Sequence, residues 1–208
     1  MVFLAESNRR SIKVDCIYMN LLLTLRMSLH KNAALKEAVL NLSNKEKDKL
    51  LVRLINKDKM LLKQLHFELL EDESDLENRI IDLKANLETV FETGQAHIKN
   101  IPQFTNYREL TRLIRSASGL VNEHEKVTKD KFSVVECRLL ILQEAFERYP
   151  NLFKPASLTP GFKLHQYIKG RIKNATSAYE KLHEDLQFDL KDSMEYVLEF
   201  AEEHRLNS

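Results

Sequence analysis

Apolar residues recur at three- and four-residue steps along almost the whole chain, and strict alternation of apolar and polar residues persists nowhere. This spacing predicts amphipathic helices rather than strands. It is clearest in three series: Leu50, Leu51, Leu54, Leu61, Leu62, Leu65 and Leu69; Leu76, Ile80, Leu83, Leu87 and Val90; and Leu164, Ile168, Ile172, Ala175, Tyr179, Leu182, Leu186, Leu190, Met194, Val197 and Ala201. The second series follows a heptad seam. We expect an all-α fold, an antiparallel helical bundle with long helices, for which an extended coiled-coil-like hairpin is one arrangement.

Capping residues predict where helices begin. Ser43 with Glu46 has the spacing of a capping box, in which each side chain bonds to the backbone N–H of the other residue. Ser74 with Glu77 is a second such pair. The chain either bends there or continues as one rod, so whether residues 44–93 form one helix or two stays open.

Glycines and prolines predict the remaining boundaries. Gly94 and Pro102 bracket a break, Asn106 with Glu109 restarts a helix, and Pro150 ends a later one. Residues 150–159 then form a connector. Thr159 and Pro160 have the order of an N-cap and a first helical residue. The helix that follows is expected to reach residue 204, as one helix or two.

The N-terminal segment places basic residues before an apolar run. This order is superficially that of a signal peptide, but Asp15 and Asn20 interrupt the run and Arg26 ends it without a small-residue cleavage site. We interpret residues 1–12 as a flexible tail, residues 14–30 as the start of the first helix and residues 13–208 as a single helical-bundle domain. A cytoplasmic, non-membrane protein is expected. Whether residues 1–26 belong to the functional chain stays open.

Composition narrows the class further. The 208 residues include four glycines and four prolines, which favours long helices and few loops. The net charge of +1 gives the whole molecule no strong attraction to nucleic acid, and no DNA binding is expected. Two cysteines, Cys16 and Cys137, lie in apolar surroundings and are interpreted as buried thiols in a reducing compartment.

Residues 42–71, LSNKEKDKLLVRLINKDKMLLKQLHFELLE, resemble uncharacterised helical proteins of Bacteroidota-type bacteria. The resemblance covers about 30 residues. It implies a helical fold and a bacterial origin, but no activity.

Established catalytic motifs are absent from the sequence. There is no phosphate-binding glycine loop, no H-E-x-x-H and no G-x-S-x-G. Glu180 and His183 form the single E-x-x-H, a spacing that places two metal ligands on one helical face, but di-metal bundles need two such motifs and two further glutamates. We therefore expect no metal and no cofactor, and Glu180 with His183 stays a weak candidate pair.

The remaining histidines are expected to be structural. His66 lies among leucines and is interpreted as a residue at the edge of the core. His97, His124 and His204 lie in polar stretches and are expected to be solvated.

Residues 148–179 are basic and contain no acidic residue. Six candidate anion-binding residues lie here: Lys163, His165, Tyr167, Lys169, Arg171 and Lys173. A helix favours anions at its N-terminus, so a helix that begins cationic needs a source of negative charge. That source is either internal, the acidic residues 71–77, or external, a phosphate or polyanion at residues 163–173.

Three functions remain. The first is a non-enzymatic interaction or scaffold protein that acts through protein–protein contacts or as a homodimer. The second is a phosphate- or RNA-binding helical protein that uses residues 163–173. The third is an enzyme with an unrecognised helical active site.

Overall fold

The computed structural model describes residues 28–206, and every regular element in this range is helical. The chain divides into two compact units between Asp58 and Lys59. The predicted all-α helical bundle is confirmed at this level, whereas the single domain stays a prediction. Within the described range, no helix combines the length and the apolarity that a membrane crossing requires. The tail at 1–12, residues 14–27 of the predicted first helix and Cys16 lie outside the described residues.

The first unit, over residues 28–58, contains a 3₁₀ turn at Leu29–Lys31, helix α1 at Ala33–Leu40 and helix α2 at Asn44–Ile55. The capping box predicted at Ser43 and Glu46 is confirmed, with both reciprocal hydrogen bonds present. None of residues 28–58 is fully buried. This unit therefore leaves much of its apolar surface exposed.

The second unit, over residues 59–206, holds the hydrophobic core. Its elements are α3 at Lys59–Leu70, α4 at Glu73–Gln95, α5 at Phe104–Thr128, α6 at Lys131–Arg148, a 3₁₀ turn at Pro150–Phe153, α7 at Thr159–Tyr179, α8 at Glu184–Asp189 and α9 at Lys191–Glu203. Helix α6 is central and packs against α4, α5, α7 and α9. Cys137 on α6 is buried, as predicted, and burial raises the pKa of its thiol to about 12, so it is unreactive near neutral pH.

Residues 44–93 lie in three helices, not one or two. The prediction that Ser74 caps a helix is wrong, because Asp72 does so two residues earlier. The Asp72 side chain accepts hydrogen bonds from the backbone N–H groups of Ser74 at 2.9 Å and Asp75 at 3.3 Å. Directly before the cap, Glu71 accepts hydrogen bonds from the Arg79 guanidinium and pairs with His66. These contacts fix the bend between α3 and α4.

Helix α5 begins two residues before the predicted restart, at Phe104. Asn106 does not begin the helix; it is buried and forms hydrogen bonds with the preceding loop. Its amide donates to the Ile101 carbonyl oxygen at 2.8 Å, and its Oδ1 accepts from the Lys99 N–H at 3.2 Å. The buried amide therefore closes the connection between α4 and α5.

Helix α7 begins one residue earlier than predicted, with Leu158 at the N-cap and Pro160 in the second helical position. Residues 159–203 lie in three helices, not one or two, because α7 ends at Tyr179 and α8 and α9 follow it. The apolar periodicity nevertheless continues across the break, because Leu182 and Leu190 are both buried in the same core. Periodicity alone therefore did not reveal the turn.

Candidate functional site: a basic groove between α5 and α7

The buried face of α7 is the one that the sequence predicts: Leu164, Ile168 and Ile172 are buried. This apolar stripe separates the six predicted anion-binding residues into two sets on opposite flanks of the helix. Lys163, Tyr167 and Arg171 follow one flank at four-residue steps, and His165, Lys169 and Lys173 follow the other. The structure therefore does not bring the six residues together into one site.

The flank of His165 faces the core and the 3₁₀ turn. The His165 Nε2–H donates to the Leu152 carbonyl oxygen at 3.0 Å, and its ring stacks on Phe153. Lys169 is half-buried and lies near enough for its charge to contribute to the lowered pKa of His165, whose main cause is burial. Lys173 is exposed. Of this flank, His165 has a structural role.

The flank of Lys163 faces α5 and forms a groove with it, which we call the basic groove. Its cations are Arg108, Arg112 and Arg115 on α5 and Lys163 on α7; Thr111 and Pro160 complete its lining around a cavity of about 250 Å³. The α5 arginines were missed in the sequence, although their spacing of four and three residues beside the buried Tyr107, Leu110 and Ile114 marks one exposed helical stripe.

Among residues 28–206, one carboxylate forms an ion pair with these four cations. Glu109 accepts two hydrogen bonds from Arg112, at 2.7 and 2.8 Å, within the same helix. Helix α7 begins next to Lys163 without a side-chain cap at Leu158, and the partial positive charge of a helix start adds to the field. The groove is thus strongly cationic on a protein with a net charge of only +1.

Aromatic rings hold the arginines in place. The guanidinium of Arg108 lies 5.6 Å from the ring centre of Phe104. Two guanidinium groups lie over the Tyr167 ring, those of Arg115 at 5.1 Å and Arg171 at 5.2 Å. Such cation–π contacts restrict the arginine side chains and reduce the entropy lost on binding. Tyr167 therefore positions arginines and does not offer a bare ring for stacking a nucleobase.

The acids proposed as internal partners of the basic residues are engaged elsewhere. The guanidinium of Arg79 is the main cause that lowers the pKa of Glu71 to about 2, and His66 contributes. Asp72 is occupied in capping α4. Asp75 Oδ2 accepts a hydrogen bond from the Asp72 N–H. Three of the five acids in residues 71–77 are therefore used locally.

The candidate metal pair is separated by the helix break. Glu180 is the C-cap of α7 and His183 is the N-cap of α8, so the two do not share a helical face. His183 instead accepts a hydrogen bond at Nδ1 from the Asp185 N–H at 3.4 Å. Over residues 28–206, no group of three His, Cys, Asp or Glu side chains is placed to hold a metal ion.

Three of the other histidines differ from their predicted surroundings. His124 is buried, not solvated, and a hydrogen bond of 2.9 Å joins its Nε2 to Ser133 Oγ. His204 stacks on Phe200 with 4.0 Å between ring centres. His66 is exposed rather than at the core edge. A histidine in a polar stretch of sequence can therefore still be buried, if its position lies on the face of the helix that packs on the core.

No family model, no curated protein and no solved structure matches this chain. The resemblance of residues 42–71 to helical proteins of Bacteroidota-type bacteria therefore stays a hypothesis, and so does the bacterial origin that it implies.

Two histidines, the buried His124 and the half-buried His165, predict a dependence of stability on pH. Burial lowers the pKa of both His124 and His165 from the ordinary value of 6.5. The unfolded chain then binds protons first as the pH falls below 6.5, so the free energy of unfolding should decrease from pH 7.5 to pH 5.5, by at most about 1.4 kcal/mol per pH unit for each histidine. Glu71 stays ionised over this range.

Urea denaturation at several pH values checks this prediction. The double variant His124→Gln/His165→Gln should flatten the dependence, whereas His97→Gln, at an exposed position, should leave it unchanged. An equal slope in the wild type and the double variant would show that other groups cause the dependence.

Proposed function

We propose that this protein is a non-enzymatic helical interaction protein that binds an acidic segment of a partner protein in its basic groove. The observation that carries the proposal is the convergence of Arg108, Arg112, Arg115 and Lys163 on one groove with a single carboxylate among them. Arginine forks match carboxylates in bidentate geometry, and one terminal nitrogen of Arg112 already donates to both carboxylate oxygens of Glu109.

Two features favour an acidic protein segment over RNA, the alternative from the sequence. Single-stranded RNA is usually bound by stacking its bases on exposed aromatic rings, and the Tyr167 ring is covered by the guanidinium groups of Arg115 and Arg171. The low net charge also gives little non-specific attraction to a polynucleotide. A parallel titration with an RNA oligonucleotide tests this alternative.

Titration of a short glutamate-rich peptide tests the proposal, with a uridine oligonucleotide of equal charge in parallel. The variant Arg115→Glu/Lys163→Glu removes two groove cations and adds two anions. We expect it to weaken peptide binding by about tenfold or more, since each lost ion pair contributes about 0.2–1 kcal/mol and each new like-charge contact opposes binding. Rising salt should weaken binding to the wild type.

The matched control is Lys173→Glu/Lys181→Glu, which makes the same change of net charge at exposed positions on the other flank of α7 and just beyond its C-terminal end. It should bind the peptide within about twofold of the wild type, because screening limits the effect of distant exposed charges. Equal losses of peptide affinity in both double variants would show that the peptide responds to the overall charge of the protein and not to the basic groove. If the oligonucleotide binds more tightly than the peptide, the ligand of the groove is RNA and not an acidic protein segment.

Self-association as a homodimer is a second candidate, supported by a separate surface. Leu69 and Leu70 at the end of α3 are 71% and 74% exposed, and Ile81 on α4 is 63% exposed. Apolar side chains that form a contiguous exposed patch mark contacts with other chains, and Leu69 and Leu70 are neighbours in the sequence. Sedimentation at rising protein concentration separates this candidate from the groove, because apolar association depends little on salt.

Two finer features also stay proposals. An antiparallel, hairpin-like arrangement of α5 and α6 is supported by their two-residue link, in which Lys129 has a φ of 57°. A cytoplasmic location is supported by the free thiol of Cys137. The third hypothesis from the sequence, an enzyme, gains no supporting contact within residues 28–206.

A further inference from the structure

A second polar cavity lies between α5, α6 and α7, beyond the Tyr167 end of the basic groove. Its volume is about 270 Å³, and its polar lining consists of Ser118, Asn122, Arg138, Arg171 and Asn174. Val121, Ile141 and Leu142, all buried, complete the lining on the core side. Two cations and three neutral hydrogen-bonding side chains therefore surround the cavity, and no acid is among its lining residues.

Arg171 carries the decisive observation. Its Nε is buried and has no hydrogen-bond partner among the described residues. A buried donor of a charged group without a partner is costly and is rarely retained without a reason. The Tyr167 ring, 5.2 Å from the Arg171 guanidinium, fixes the side chain. The Arg171 guanidinium is therefore held in position beside the cavity, and its Nε–H is unpaired among the described residues.

Arg138 reaches the same cavity from α6. One of its terminal nitrogens donates to Glu125 Oε2 at 2.6 Å, and this ion pair holds the side chain while its other donors stay available. Donors thus come from three helices rather than from one side. A tetrahedral oxyanion accepts hydrogen bonds from several directions, whereas a carboxylate accepts them near one plane.

We infer that this cavity is a binding site for the phosphate group of a small molecule, with Arg171 and Arg138 as its cationic ligands and the side chains of Ser118, Asn122 and Asn174 as further hydrogen-bonding groups. The cavity far exceeds the roughly 10–15 Å³ that a single bridging water needs. The apolar residues on the core side provide a contact for the organic part of the molecule. The inference is independent of the basic groove, because none of the lining residues is shared between the two.

Titration of the full chain with inorganic phosphate tests the inference, with sulfate as a second tetrahedral anion and chloride at equal ionic strength as the control. The Nε–H signal of Arg171 in ¹H–¹⁵N spectra should move on addition of phosphate or sulfate and not of chloride. This measurement uses the unmodified protein, so it does not depend on whether a variant folds. An Arg171 signal that responds equally to all three anions, or to none, would overturn the inference.

Variants then locate the binding. Arg171→Lys keeps the charge but loses Nε–H and the planar fork, and should weaken phosphate binding by about ten- to a hundredfold. Ser118→Leu should block the cavity without a change of charge. Arg108→Lys, the same exchange in the basic groove, should leave phosphate affinity unchanged. Unchanged affinity in both cavity variants would place the phosphate elsewhere, and binding of the glutamate-rich peptide to Ser118→Leu shows separately whether the groove is active.

Discussion

Replacing Phe146 with alanine is expected to lower the free energy of unfolding by about 3–5 kcal/mol. Phe146 is fully buried on the central helix α6. Its ring stacks on Phe200 of α9 with 4.1 Å between ring centres and meets the edge of Phe153 at 5.0 Å. Removal of the ring therefore leaves a cavity where α6, α9 and the 3₁₀ turn meet, and the lost contacts come from three elements at once.

Urea denaturation followed by circular dichroism measures this loss, and Phe188→Ala is the matched control. Phe188 on α8 is 77% exposed, so its truncation should change the free energy of unfolding by no more than about 0.5 kcal/mol. Similar values for the two variants would mean that the aromatic cluster does not hold α6 and α9 together.

The second large effect is that replacing two glycines of α7 with alanine should change the free energy of unfolding in opposite directions. A Cβ atom at Gly161 would lie 2.7 Å from Ala156 Cβ and 3.0 Å from the Tyr107 ring, whereas one at Gly170 would meet nothing within 4 Å. Gly161→Ala should therefore destabilise the protein by about 1–3 kcal/mol, because Ala156 and the buried Tyr107 have to shift. Gly170→Ala should stabilise it by about 0.5–1 kcal/mol, because alanine loses less entropy in a helix.

Thermal unfolding of both variants beside the wild type checks the two signs in one experiment. Gly119→Ala on α5 is a further control, since a Cβ there would also meet nothing within 4 Å. Stabilisation by Gly161→Ala would contradict the close approach of α7 to Tyr107 and, with it, the position of Lys163 at the basic groove.

Much of the fold follows from the sequence, because local patterns decide local structure. The periodic apolar positions predict the helices. The spacing of Ser43 and Glu46 predicts the start of α2, and Pro150 correctly predicts the end of α6. The break after Tyr179 was less evident. Leu182 and Leu190 keep the period because they pack on the core that α7 also covers.

The candidate site was only partly predictable, because it is made by two helices that are separated by 30 residues, 129–158, in the sequence. The basic residues of α7 attract attention since no acid lies among them. The arginines of α5 do not, because Glu109 lies among them in the sequence. Only the packing of α5 against α7 shows that Arg115 meets Tyr167 and that His165 turns away. A charge run in sequence therefore gave three of the residues near the groove, Lys163, Tyr167 and Arg171, but not their partners.

The central claim is that the groove between α5 and α7 is the surface that binds an acidic partner. The most direct test is a map of backbone amide chemical shifts during titration of the wild type with the glutamate-rich peptide. We predict that the largest changes occur at Arg108, Thr111, Arg115 and Lys163, and that Lys173 on the other flank of α7 is unaffected. Changes centred on Lys173, or spread evenly over exposed lysines throughout the chain, would contradict the claim.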